Sequence, residues 1–111
     1  MTDFILVLTT IGPQELAQQL VTDAVAQRVA ASGQVIGPIT GTYWWKQQME
    51  TVQSWLCLFK TRSDLYQEVE RVIREHHPDE VPGILAVPVV AGWASYLEWI
   101  AQETYTNAPG E

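Results

Sequence analysis

The chain opens on a short, continuous apolar run, Phe4–Leu8, which reads as a strand buried on both faces. Gly12-Pro13 breaks the run, and Pro13 suits the first turn of a helix. Leu16, Leu20 and Ala24 then recur at helical spacing with Val21, Val25 and Val29 beside them. This predicts a helix over 13–32, with Gly33 as its C-cap. Val35 to Trp45 is rich in β-branched and aromatic residues and predicts a second strand, with a break or bulge at Gly37-Pro38. Lys46-Gln47-Gln48 reads as a turn, and Met49–Lys60 as a long third strand. Trp55, Cys57 and Phe59 point to one face of it and Val52, Leu56 and Leu58 to the other, so both faces need cover.

Ser63 is a favourable N-cap for a second helix, whose buried stripe is Tyr66, Val69 and Ile73 and which Pro78 ends. Gly83 precedes a fourth strand over Ile84–Val90. Ser95 and Glu98 form an S-x-x-E capping box for a last short helix carrying Tyr96, Leu97, Trp99 and Ile100. The segment 104–111 is polar, with Pro and Gly, and is expected to fray. The order β-α-β-β-α-β plus a helix predicts one α+β domain over residues 1–111, a ferredoxin-like sandwich with an extra C-terminal helix. In that pattern the second and fourth strands are edges. Pro38 and Pro88 fall in those two, as they should, because proline cannot donate to a central ladder. Two helices cover only one face of such a sheet. The other face would leave an apolar patch larger than soluble monomers usually expose, so the pattern predicts self-association.

Composition sharpens this. Five Trp in 111 residues are hard to hide in one small core, so some are expected at a subunit interface or in a cleft. Thirteen acids against six bases give a net charge of −7. Phosphate backbones and anionic membranes need basic patches, and both are poor partners for this chain. One cysteine, Cys57, allows no internal disulfide. The N-terminus has no basic segment followed by a long apolar run, so the expected location is the cytoplasm.

Chemistry-bearing motifs are few. There is no Gly-rich phosphate loop, no C-x-x-C and no locally supported Ser-His-Asp set, so nothing points to an enzyme. His76 and His77 are the only imidazoles, and imidazole is a common ligand for copper and zinc. Neighbours on a helix diverge by about 100°, so one ion would need Glu75, Asp79, Glu80 or a second chain as well. A histidine pair at a helix C-terminus is more simply explained by the helix dipole, which favours a partly cationic side chain there. Cys57 could be a soft ligand, although a lone mid-strand Cys is usually a small buried hydrophobe.

Tyr43-Trp44-Trp45, Lys60-Thr61, His76-His77-Pro78-Asp79-Glu80-Val81-Pro82 and Tyr96-Leu97-x-Trp99 resemble, in order and spacing, the CutA family of divalent-cation tolerance proteins. The resemblance runs from Phe4 to about Ile100. It implies a homotrimer of the PII-like architecture, a link to copper and other divalent cations, and no catalytic activity. It also implies that His76 and His77 match the family's histidine pair. The chain departs from the family pattern at Thr9, where some members carry a copper-binding cysteine, and at Ser32, Ser54 and Gly83. In this reading Trp44, Trp45, Tyr96 and Trp99, with Lys60 and Glu80 as a polar pair, line a cleft between subunits or pack its core. The alternative function is a PII-like sensor or carrier of a small molecule in that cleft. The turn at Lys46–Gln48 is short and bases are scarce, which argues against ATP. A ferredoxin-like monooxygenase subunit is a third reading, distinguished by dimers across the open sheet.

Overall fold

The structure is a computed structural model that describes residues 3–105. Its elements are β1 (Phe4–Ile11), α1 (Gln14–Ala26), β2 (Ser32–Trp45), β3 (Gln48–Arg62), a 3-10 turn (Ser63–Leu65), α2 (Tyr66–His76), β4 (Ile84–Pro88) and α3 (Ala94–Gln102). The four strands form one antiparallel sheet in the order β2-β3-β1-β4. This is the ferredoxin-like arrangement, with Pro38 and Pro88 on the two edge strands. The bulge expected at Gly37-Pro38 is present, as a register shift between Ile36 and Ile39.

The core lies between the sheet and α1 and α2. Val7, Cys57 and Phe59 are fully buried and pack with Ala17, Leu20 and Ala24 of α1 and Val69, Val72 and Ile73 of α2. Each strand contributes alternate residues to this layer. The residues between them, among them Leu6, Leu8, Leu58 and Lys60, therefore project to the opposite, open face, which is only partly covered.

Several boundaries differ from the sequence reading. α1 stops at Ala26, well before residue 32. Arg28 takes a left-handed conformation (φ 60°), and the Arg28 and Val29 amides donate back to the carbonyls of Val25 and Ala24. That is a Schellman cap with Arg in the place usually held by Gly. Beyond it Val29 and Ala30 turn into the core, and the Thr61 hydroxyl donates to the Val29 carbonyl at 2.6 Å. Gly33 is thus a residue of β2. A Cβ there would lie 2.7 Å from Cγ1 of Val21, so glycine is needed where α1 crosses the strand.

β1 runs on to Ile11, because Thr9, Thr10 and Ile11 keep pairing with Cys57, Leu56 and Trp55. Ser63 opens a 3-10 turn, and α2 begins three residues later with Leu65 at its N-cap position. The Ser95–Glu98 capping box does not form. α3 starts from Trp93, whose carbonyl accepts the amides of Tyr96 and Leu97, and Leu97 folds back over Gly92. β4 ends at Pro88 instead of Val90.

The tail is anchored at its start. Thr104 is buried, Arg62 donates to its hydroxyl, and the Tyr105 amide donates to the Arg28 carbonyl. The rest of the expected frayed segment lies outside the described residues. No helix among the described residues is long and apolar enough to cross a membrane.

Candidate functional site

The β2–β3 hairpin outreaches the sheet. β1 pairs with β3 only as far as Ile11–Trp55, yet β2 and β3 continue to pair from Ile39–Ser54 out to Trp45–Gln48. Lys46 and Gln47 close the arm in a two-residue turn, both with positive φ (50° and 68°), as a type I′ hairpin requires. Among the described residues the arm has no third strand and no helix on either face. Tyr43, Trp44, Trp45, Met49 and Val52 are all exposed, Trp44 at 73%. A two-stranded ribbon is marginal by itself in water, and this one presents indoles to solvent.

The residues singled out for a cleft fall into two groups within one subunit. Trp44, Trp45 and Glu80 gather near the arm's tip, where Lys46 reaches Glu80 at 4.0 Å and lies over the Trp45 ring at 5.6 Å. Lys60, Tyr96 and Trp99 form the second group. Tyr96 and Trp99 stack at 5.6 Å on successive turns of α3, and the Lys60 ammonium lies 5.6 Å from the Tyr96 centroid. Lys60 is twelve residues along β3 from Gln48, the partner of Trp45. At about 3.3 Å per residue that is roughly 40 Å. A single subunit therefore does not bring the six residues together. It also does not pair Lys60 with Glu80, whose carboxylate is exposed and turned to Lys46.

His76 and His77 end α2 and diverge as adjacent helical residues must. His76 Nδ1 faces the Val72 carbonyl at 2.9 Å, and Nε2 faces the Asp23 carboxylate at 2.6 Å. Both partners are acceptors, so the ring donates from both nitrogens, which only the imidazolium can do. Burial pushes the His76 pKa down. The hydrogen bonds to Val72 and Asp23 and the charges of Asp23 and Glu75 outweigh it, and the net shift is upward. The side chain of His77 is almost wholly buried. Its Nε2 lies 2.7 Å from the Thr10 carbonyl, and its Nδ1 accepts the Asp79 amide at 3.1 Å, an arrangement that the neutral Nε2–H ring satisfies. His77 thereby pins the His-Pro-Asp-Glu-Val-Pro loop to the end of β1.

Among the described residues no three His, Cys, Asp or Glu side chains gather as a metal cluster. The described residues of one subunit therefore present no ready-made set of cation ligands. Cys57 lies in the core beneath α1 with its Sγ 3.8 Å from the Ala17 carbonyl, and burial pushes its thiol up to about 11. A protonated, enclosed thiol is a poor ligand. The outer face of α2, lined by Gln67, Glu70, Arg71, Arg74 and Glu75, forms a shallow open dish, but its charges satisfy one another.

The sequence reading marked Ser32 only as a departure from the family pattern and assigned it no place in the site. Its hydroxyl is buried without a hydrogen-bond partner among the described residues, opposite Lys60 in the β2–β3 register. Only the register, which the sequence does not print, would have paired these two residues.

The model of the CutA1 divalent ion tolerance protein family matches residues 5–103. The chain is 30% identical over 98 residues to a divalent-cation tolerance protein CutA of Thermus thermophilus, covering 88% of this chain and 95% of that one. It is 28% identical over 100 residues to the chloroplastic Protein CutA 1 of rice, covering 90% of this chain and 56% of the rice protein, so it spans little more than half of that relative. The crystal structure of CutA1 from Oryza sativa superposes with a TM-score of 0.91 at 26% identity, covering 96% of this chain and 97% of that one. A structure described as the periplasmic divalent cation tolerance protein CutA of Archaeoglobus fulgidus superposes at 0.87 with 25% identity, covering 90% and 97%.

Proposed function

The chain belongs to the CutA1 divalent ion tolerance family, and from that premise we propose that it acts as a homotrimer in the tolerance of divalent metal ions, copper among them, by binding and not by catalysis. The observation that carries this reading is the uncovered arm. A ribbon with Tyr43, Trp44 and Trp45 in solvent gains most by lying against further copies of the chain, and trimeric closure gives every arm an equivalent seat. The split of Trp44, Trp45 and Glu80 from Lys60, Tyr96 and Trp99 supports the same assembly, since only contact between copies can join the two groups.

In this reading His76 and His77 are the cation ligands of each subunit, completed by donors of a neighbouring copy. Every ring nitrogen is already engaged, so the cation must displace the Asp23, Val72, Thr10 or Asp79 contact. Binding is then weak and labile, and it falls with decreasing pH, beginning above the ordinary imidazole value of about 6.5 at His76, because protons compete for the imidazoles and the His76 pKa is raised. Calorimetric titration with copper(II) of the wild type and of a His76→Ala/His77→Ala variant tests it. Saturable binding by the wild type alone is expected, and equal binding by both moves the site elsewhere. The reading places the protein in the cytoplasm, consistent with its one buried, reduced Cys57, although the Archaeoglobus fulgidus relative is described as periplasmic.

A second reading, a PII-like sensor or carrier, is favoured by one observation. Lys60 over Tyr96, with Trp99 stacked behind, is an aromatic platform bearing a single cation, the kind of polar handle that small-molecule clefts use.

A further inference from the structure

Charge pairing across the molecule is uneven. The chain has six Lys and Arg and more than twice as many acids. Arg28 pairs with Glu103, Lys46 with Glu80, Arg62 with Asp64, Arg71 with Glu68 and Glu75, and Arg74 with Glu70. Lys60 is the exception: among the described residues it has no carboxylate partner, and its ammonium rests on the Tyr96 ring. In so acidic a chain an unpaired cation is the position at which an anion is missing.

The second observation is independent of the first. Ser32 and Lys60 are direct partners in the β2–β3 register and alternate with the core pair Gly33–Phe59, so both side chains stand on the open face. There the Ser32 hydroxyl is buried and makes no hydrogen bond with the described residues. Buried hydroxyls almost always have a partner, because an orphaned one has lost its water and gained nothing. A cation without a carboxylate and an orphaned hydroxyl thus belong to residues paired across the two strands.

The geometry points to a carboxylate-binding site at Lys60 and Ser32, floored by Tyr96, in which one carboxylate oxygen takes the Lys60 ammonium and the other accepts the Ser32 hydroxyl. Lys60 has a flexible four-carbon stem, and its movement opens the hydroxyl to the ligand. Tyr96 is itself stacked on Trp99 at 5.6 Å, so the floor of the site is a pair of rings. This gives the second reading above its ligand class and rests on that reading. The carboxylate comes from a free organic acid or from Glu80 of a second copy, whose own partner Lys46 is an exposed side chain 4.0 Å away.

The full chain is titrated with sodium acetate, and with sodium chloride at matched ionic strength, while backbone amide shifts are followed. Saturable shifts at Ser32, Lys60 and Tyr96 with acetate only are expected. Lys60→Gln weakens them roughly tenfold or more, and Ser32→Ala by a smaller factor, as loss of a charged and of a neutral partner predicts. If Lys60→Gln does not fold, Ser32→Ala carries the test. The neighbouring copy as the source gives a different pattern. Acetate then has no effect, and Lys60→Gln and Glu80→Gln each weaken the assembly, with the double variant no worse than either. An acetate response unaltered by both substitutions overturns the proposal, as does the absence of both the response and the coupling. Failure of the trimer reading is seen separately, as a monomer or dimer mass with the acetate response intact.

Discussion

The Thr9 hydroxyl donates to the Gly83 carbonyl at 2.7 Å. The bond ties β1 to the residue just before β4. Thr9 is buried on the helix side of the sheet, in register with Cys57 on one flank and Ile84 on the other. Here the position fastens an edge strand. Thr9→Val keeps the shape and removes the bond, leaving the Gly83 carbonyl one partner short. A loss of about 1 kcal/mol in urea unfolding is expected, with Thr9→Ser closer to wild type. Equal stability of Thr9→Val and wild type would show that the bond contributes nothing.

His76 makes stability depend on pH. Its folded-state pKa is raised, so its contribution is fully present below the unfolded value of about 6.5 and is lost as pH rises through the folded value. Asp23, the partner on α1, is part-exposed, and solvent screens the pair to about 0.5–1 kcal/mol. Asp23→Asn should therefore lower the melting temperature near pH 6 and have little effect near pH 9. The same loss at both values would mean that the contact is an uncharged hydrogen bond.

What could be read in the sequence was periodic. The alternation of Trp55, Cys57 and Phe59 with Leu56 and Leu58, and the prolines on edge strands, gave the sheet order. The misplaced boundaries have tertiary causes. α1 ends early because Val29 and Thr61 meet across the fold, so an Arg accepts a conformation normally left to Gly. Ser95 and Glu98 spell a capping box, but the close approach of Leu97 to Gly92 starts α3 ahead of it. For the site, residue type and the family resemblance singled out His76, His77, Lys60 and the aromatics as candidates. They could not show that Lys60 meets Tyr96 or that Ser32 stands beside Lys60, because strand register and helix docking are long-range properties.

Two glycines should respond oppositely to the same change. A Cβ at Gly33 meets Val21 at 2.7 Å and Phe59 at 3.5 Å, whereas at Gly83 it meets nothing within 4 Å. Gly33→Ala should destabilise by about 1–3 kcal/mol through overpacking. Gly83→Ala should be neutral or stabilise by up to about 1 kcal/mol, because it restricts only the unfolded chain. Chemical denaturation of both variants decides it, and an unaffected Gly33→Ala would mean that α1 can move off β2.

Trp45 separates packing within a subunit from packing between subunits. In one subunit it is 37% exposed, with Lys46 over its ring. Its removal should then cost little if the chain works alone. Buried in an assembly, Trp45→Ala should cost about 3–5 kcal/mol and shift the complex toward free subunits. Unfolding at two protein concentrations checks this, since dissociation makes the transition concentration-dependent.

Assembly is the claim on which the arm, the divided cleft and the shared cation site all depend, and native mass spectrometry of the purified chain at low micromolar concentration tests it directly. The account predicts one dominant species at three times the 12.5 kDa chain mass, and an added copper(II) adduct on that species that disappears in the His76→Ala/His77→Ala variant. A stable species at 12.5 kDa would contradict it, because the exposed Trp44 and Trp45 would then have no partner to cover them.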